Sequence, residues 1–379
     1  MRALAFLKKT FLENVREWKI LSFTLVFAPA FVYLMHGYFR AAPPSYTMLV
    51  LNHDGEAGAA GLIATWKGAR HRSGDPMLVV QEVTEREAAL QRIRERDAQL
   101  LVEIPAGFSR KLAAFRAGKS RAAAHLANFG DESYIRSSMA MAYSDYIAFG
   151  YLSVVTDTPS PLEVSFERVG GRKAPTDFDL YVPALLVLAI IMVLFTAAAT
   201  LLKEVDKRTI ARLMLSRLTT TEMLAAVTVN QVAIGVVAML LAYLAALSVG
   251  YRSDGSLLAM VAVGAVSTLG VVAISVLVAA LLRTIYELLT VGTFPFFILM
   301  FFSECMFPLP KVALLHVAGK VLYLNDVLPT SLSVRALNKI LNHGAGLGDV
   351  SFELGVIVLL TAAYFGLGTR LYRRRHMRV

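Results

Sequence analysis

Residues 180–202 read LYVPALLVLAIIMVLFTAAATLL, 23 consecutive positions without a charge. At 1.5 Å rise per residue a helix of that length is about 34 Å long, enough to cross a hydrocarbon core of about 30 Å. In lipid no water is present to bond a free N–H or C=O, so the run has to be helical. Charge resumes at once on its far side, with Lys203, Glu204, Asp206, Lys207 and Arg208. The stretch reads as one membrane span.

Five further runs share this character: Ile20–Phe39, Met223–Val249, Leu257–Leu282, Ile285–Phe302 and Phe352–Leu371. Six spans set the fold class, an α-helical integral membrane protein. Composition agrees, with 17% charged residues and 56% hydrophobic, against about 25% charged in soluble domains. The net charge of +10 raises nucleic acid as a partner. Its placement argues against that, because the basic residues cluster beside the spans, as the positive-inside rule requires. Arg2, Lys8, Lys9, Arg16 and Lys19 precede the first span, Lys203, Lys207, Arg208, Arg212 and Arg217 follow the second, and Arg370, Arg373, Arg374, Arg375 and Arg378 follow the sixth. With six spans all three segments share one side, so both termini are expected in the cytoplasm. The loop 250–256 carries only Arg252, and the outer segment 306–350 is less densely basic than the tail.

The first span, within 19–40, has an apolar core of about 20 residues, against 7–15 in a signal peptide, and reads as an uncleaved anchor. Before it, in 1–18, Leu4, Leu7, Phe11, Val15 and Trp18 recur at spacings of three and four. That pattern predicts an amphipathic helix in the membrane interface, or one packed against another protein.

Between the first two spans, residues 41–178 change character and predict an inserted extracytoplasmic α/β domain. Strands are expected at 46–52, 77–83, 99–104, 122–127 and 162–169, and helices at 57–69, 84–97, 109–117 and 132–155. Thr84 with Glu87 has the pattern of a capping box. The domain is long enough for its own core. It needs one, because Cys305 is the single cysteine and no intramolecular disulfide is available. Gly118-Lys119-Ser120 resembles the end of a phosphate-binding loop, but Ala113 stands where the motif needs glycine, and the expected preceding element is a helix. The seven histidines show no metal-binding spacing, and no catalytic motif is present. The chain is expected to hold no catalyst, metal or cofactor of its own.

The most informative loop is 203–222. Leu202, Val205, Thr209, Leu213 and Ser216 fall on one face of a charged helical pattern, which alone describes a solvated juxtamembrane helix. The segment resembles the coupling-helix region of the type 2 ATP-binding-cassette (ABC) exporter permeases, in the subgroup with a large extracytoplasmic domain between spans one and two. Glu204 and Asp206 match the family's acidic pair, Thr209 its threonine, and Arg212 and Leu213 its later positions. Arg208 stands where the family usually has glycine, and Arg217 where proline often follows. Three other phrases are similar to the family's: Val102 to Ser109, with Ile104-Pro105 closing a strand and Phe108-Ser109 opening a helix; Phe307-Pro308-Leu309-Pro310; and Leu328-Pro329-Thr330 with Arg335-Ala336-Leu337, in a re-entrant segment before the last span.

The resemblance implies a permease subunit in a bacterial inner membrane, paired with an identical or different permease. A pair of cytoplasmic ATP-binding subunits, holding ATP and Mg, would dock on Glu204, Asp206, Lys207, Arg208, Thr209, Arg212 and Leu213 and drive the spans to open outward. The apolar span interiors suit an amphipathic, lipid-like or drug cargo moved out of the cytoplasm or the membrane, and membrane lipid is an expected partner. Asn230 and Gln231 lie within the third span, where they either line a pathway or bond between helices. Glu304, near the outer end of the fifth span, either lines an exit or reaches interfacial water. Pro29, Pro183 and Pro295 are expected at kinks or in first turns, with Pro295 beside Gly292 the clearest break. A membrane-anchored receptor or envelope-organising protein is the alternative reading. An ion-coupled transporter would show paired midplane charges and internal repeats, and the sequence has neither.

Overall fold

The computed structural model describes residues 2–41, 45–71, 74–95, 97–117, 125–131, 135–156, 177–207, 219–306, 309–317 and 319–376. The chain divides into a unit of residues 40–166 and a unit formed by 1–39 and 167–379.

Helix α1, Arg2–Arg16, packs on its neighbours through Phe6, Thr10 and Asn14, all buried, while Leu4, Phe11, Val15 and the adjoining Trp18 are exposed. The apolar stripe thus faces away from the protein and the more polar stripe faces inward. Helix α2, Trp18–Ala41, buries only a narrow stripe including Ala28 and Val32. Pro29 lies inside it without interrupting it.

In the 40–166 unit, β1 (Tyr46–Asn52) leads to α3 (Ala57–Gly68), β2 (Leu78–Val83), α4 (Arg86–Arg94), β3 (Leu100–Ile104), α5 (Phe108–Arg116), β4 (Ala127–Phe129) and α6 (Ile135–Thr156). The sheet order is β2-β1-β3-β4, with β1 parallel to both β2 and β3 and β4 antiparallel to β3. Side chains alternate across a strand, so Met48, Val50, Leu100 and Val102 enter the core with α3, α5 and α6, while Leu49, Leu51 and Leu101 pack with α4 on the other face. Burial on both faces is why β1 and β3 read as near-continuous apolar runs. Trp66 of α3 is fully buried and donates from Nε1 to the Ser144 carbonyl at 3.1 Å.

Two local expectations shift. The fourth strand occupies 127–129 rather than 122–127; residues 118–124, with the Gly118-Lys119-Ser120 segment, lie outside the described residues. So does the expected strand at 162–169. Helix α4 starts at Arg86 with Glu85 as its extended cap, so Thr84, directly after β2, forms no capping box with Glu87.

The remaining chain forms α7 (Asp177–Ile191), α8 (Val193–Asp206), α9 (Thr220–Ser248), α10 (Leu257–Leu281), α11 (Ile285–Thr290) and α12 (Thr293–Phe302). A hairpin of β5 (Ala313–Val317) and β6 (Lys320–Tyr323) and a 3-10 turn at 324–327 lead to α13 (Pro329–His343) and α14 (Ser351–His376). Among the described residues six helices are long and apolar enough to cross a membrane: Trp18–Arg40, Phe178–Asp206, Thr220–Ser248, Leu257–Leu281, Ile285–Phe302 and Ser351–His376. The run 180–202 sits at the centre: the most apolar window of its span is 94% buried, against 17% for the first and sixth spans. Helices α9, α10 and α13 pack on α7, and α14 pairs with α10.

Two spans are interrupted. Between α7 and α8 the break falls at Met192, nine positions after Pro183, where the Phe195 amide bonds the Met192 carbonyl at 3.3 Å. Between α11 and α12 it falls at Val291–Gly292, where a side chain at Gly292 would collide with the Leu288 carbonyl oxygen. Pro295 then occupies the first turn of α12, where no N–H partner is required.

The segment before the last span is tied down by charge. Asp326, buried, accepts from Arg335 at 2.7 Å and from the Tyr323 amide at 2.9 Å. Lys339 donates to the buried Glu353 at 2.6 Å. Leu332, Ala336, Leu337, Ile340 and Leu341 make α13 part of the core, and it ends at Gly344 with φ 67°.

Candidate functional site

Helix α8 ends where the charged loop begins, and α1 crosses it there. Lys9 of α1 donates to Glu204 at 2.5 Å and also lies 3.7 Å from Glu13. Just past the end of α1, eight residues on from Lys9, Glu17 pairs with Lys203. Glu204 is only 6% exposed, so this carboxylate is turned into the protein and held there by Lys9. Asp206 and Lys207 are exposed, and Lys207 closes α8 with its amide on the Lys203 carbonyl at 2.9 Å. Arg208, Thr209, Arg212 and Leu213 lie outside the described residues. The described residues resume at Thr219, whose hydroxyl accepts from the Glu222 amide at 3.2 Å while the Glu222 carboxylate accepts from the Thr219 amide at 2.8 Å. This capping box fixes the start of α9.

Above the ion pairs, a buried polar seam joins three helices. The Thr200 hydroxyl of α8 donates to the Thr196 carbonyl at 2.7 Å, with Asn14 Oδ1 of α1 a second, longer acceptor at 3.3 Å, and Gln231 Nε2 of α9 donates to Thr200 Oγ1 at 3.3 Å. Thr196 donates to Gln231 Oε1 at 2.8 Å. Interhelical bonds of this kind contribute about 0.6–2 kcal/mol each in a membrane. They also fix register, because a one-turn slip would strand each polar group among apolar side chains.

The expected pathway residues are not brought together. Gln231 is fully buried and spends both ends of its amide on the two threonines, so its place is between helices. Asn230, its neighbour in sequence, points elsewhere and lines a groove between α1 and α9. Glu304 follows α12, half-buried, with its backbone at φ 60°. Beside it Cys305 is buried, and burial pushes its thiol up to about 12. Among the described residues no three His, Cys, Asp or Glu side chains gather as metal ligands would.

Sequence reasoning followed the apolar stripe of α1 and so missed Lys9, Asn14 and Glu17, which do the tethering. The signal was present: Phe6, Thr10, Asn14 and Glu17 recur at spacings of four, four and three on the other side of the helix. Thr196 and Thr200, one turn apart, face Gln231 in the same way.

A comparison with curated proteins finds no match. A family model described as ABC-2 family transporter protein matches residues 18–370, nearly the whole chain. The spans with their charged loop, and the match across them, lead to one assignment: the chain belongs to the ABC-2 transporter family and is a membrane permease of an ABC transporter, working with an ATP-binding partner subunit.

Proposed function

We propose that this permease is an exporter subunit in a bacterial inner membrane, with both termini in the cytoplasm and residues 41–178 outside it. Two permeases, identical or different, form the pathway, and two ATP-binding subunits dock on the 203–222 loop, with ATP and Mg held in those subunits. The cargo is amphipathic, lipid-like or a drug. The observation that carries this reading is the double ion pair, Lys9 with Glu204 and Lys203 with Glu17, directly beside the loop.

A push on the loop meets no slack there. The end of α8 is clamped to α1, the start of α9 is fixed by its capping box, and the polar seam ties all three helices together. Displacement of the loop is therefore passed to α1, α8 and α9 as a block. The exposed Asp206 and Lys207, with Thr209 and Arg212, form the docking surface, while Glu204 acts as an anchor behind it.

The test is affinity purification from native membranes in mild detergent, scored for a co-purifying ATPase and ATP hydrolysis. An ATPase that is retained by the natural chain and lost with Thr209→Ala and Arg212→Glu is the expected result. A natural chain that purifies without an ATPase overturns the exporter reading and favours a receptor or scaffold. An ATPase retained by the double variant moves the contact off the loop.

A further inference from the structure

Between α1 and α9 lies a groove of about 610 Å³, lined by Leu4, Ala5, Leu7, Lys8, Phe11, Val229, Asn230 and Ala233. That volume is in the range of small-molecule sites, about 300–1,000 Å³. The walls are apolar except at two points. Asn230 is 4% exposed, and its Nδ2 is buried without a hydrogen-bond partner among the described residues. Lys8 is exposed at the rim, with no carboxylate paired to it among the described residues, whereas its neighbour Lys9 is engaged by Glu204.

A buried donor without an acceptor forfeits its hydration with nothing in return. Gln231 next door uses both ends of its amide, whereas Asn230 Nδ2, like Asn14 Nδ2 in the seam, has no partner among the described residues; of the two, Asn230 lines the groove. An occupant that meets all three features has a hydrocarbon tail for the walls, an acceptor oxygen set inward for Asn230, and a negative headgroup for Lys8. We infer that this groove is a binding site for an anionic glycerophospholipid, whose ester carbonyl accepts from Asn230 Nδ2 and whose phosphate meets the Lys8 ammonium. A plain hydrocarbon would leave both polar groups unused, and a zwitterionic lipid would set a second positive charge near Lys8. The outward apolar stripe of α1, Leu4 and Phe11 included, places the groove's mouth at interfacial depth. The inference needs a membrane around the chain but does not depend on the direction of transport or on the cargo.

The experiment reconstitutes the purified transporter in nanodiscs of phosphatidylglycerol and phosphatidylcholine, extracts it into detergent and counts retained phospholipid by native mass spectrometry. The natural chain is expected to retain phosphatidylglycerol preferentially. Lys8→Gln should cut that preference about fivefold, from a contribution of about 1 kcal/mol per basic residue near a membrane surface, while Lys19→Gln leaves it unchanged. Asn230→Leu should lower retention of both lipids about fivefold, because both carry the ester carbonyl. Ether-linked phosphatidylglycerol lacks that carbonyl, so on the natural chain it should be retained about fivefold less than the ester lipid, a readout that needs no variant to fold. Retention within twofold across Lys8→Gln, Asn230→Leu and the ether lipid overturns the assignment. So does efficient self-cross-linking of a Cys305→Ser, Phe11→Cys chain, which would put a second copy over the groove. None of these readouts involves the ATPase, so their failure leaves the exporter reading standing, and its failure leaves them standing.

Discussion

Lys9 and Glu204 are separated by 195 residues in sequence and by 2.5 Å in space. The two partners are unequally wet: the Lys9 side chain is 38% exposed and the Glu204 side chain 7%. Removing either breaks the same pair, but what remains behind differs. Lys9→Ala removes the ammonium that stands 2.5 Å from a buried carboxylate. Breaking a fully buried pair costs about 3–5 kcal/mol, and because Lys9 is partly solvated, a loss of about 2 kcal/mol is expected. Glu204→Gln keeps an acceptor for Lys9 and should cost under about 1 kcal/mol. Thermal unfolding of the purified chain in detergent gives the order; equal losses would show that the carboxylate is hydrated despite its burial.

If the same pair transmits the push of the partner subunit, its loss should uncouple before it unfolds. Lys9→Ala is expected to keep the ATPase bound and to hydrolyse ATP, while transport per ATP falls severalfold. The check is hydrolysis and transport measured on one reconstituted sample. Parallel loss of both would assign the pair to assembly instead.

Asn230 and Gln231 are adjacent amides with opposite accounts. Gln231→Leu removes two bonds between α8 and α9, while Thr196 and Thr200 keep the Val193 and Thr196 carbonyls as acceptors, so a loss of about 1 kcal/mol is expected. Asn230→Leu removes a group that has no partner on Nδ2, and in delipidated detergent its stability should equal or exceed that of the natural chain. A scanning thermal assay on both variants separates them.

The spans were legible because a bilayer imposes length and apolarity on every crossing helix, and 180–202 advertises both. Strands β1 and β3 were equally legible, since burial on both faces leaves continuous runs such as Met48 to Leu51. The tether at Lys9, Asn14 and Glu17 was not. On an amphipathic helix in lipid the apolar stripe faces the membrane and the polar stripe faces the protein, the reverse of the usual rule, so the conspicuous residues Leu4, Phe11, Val15 and Trp18 concealed the working ones. The break at Met192 was unreadable for another reason. Pro183 lies nine positions upstream and no glycine adjoins the break, so no local residue marks the position. The loop residues Arg208, Thr209, Arg212 and Leu213 rest on the resemblance alone.

Cys305 offers a reporter that needs no engineering. It is the single cysteine, 3% exposed, and burial holds its thiol up at about 12. Only the thiolate reacts, so maleimide labelling of the native chain at mildly alkaline pH should be slower than that of the denatured chain by more than about tenfold. Rapid native labelling would mean that the segment between α12 and the β5–β6 hairpin opens.

In the 40–166 unit, Asp54 supplies a pH-dependent prediction. It follows β1 and accepts from the Ser109 hydroxyl, and from the Ser109 amide at 3.2 Å. Ser109 Oγ in turn accepts from the Ala59 amide at 3.0 Å. The carboxylate thus sits at the N-terminus of α5 and, through Ser109, reaches that of α3. Partial burial alone would raise its pKa. The hydrogen bonds from the Ser109 side chain and from the Ser109, Gly107 and Glu56 backbone outweigh that, and the net shift is downward from 3.8. A carboxylate whose folded pKa lies below its unfolded one binds protons more readily when unfolded. Its contribution is therefore complete above the unfolded value, near 3.8, and disappears as pH falls through the lower folded value. Asp54→Asn should then weaken amide protection in α3 and α5 at neutral pH, and the gap from the natural chain should close under acid. Hydrogen exchange on the intact protein across that range reads both. A gap that is the same at neutral and acid pH would show that Asp54 acts by shape and not by charge, and would leave the two helix N-termini held by Ser109 alone.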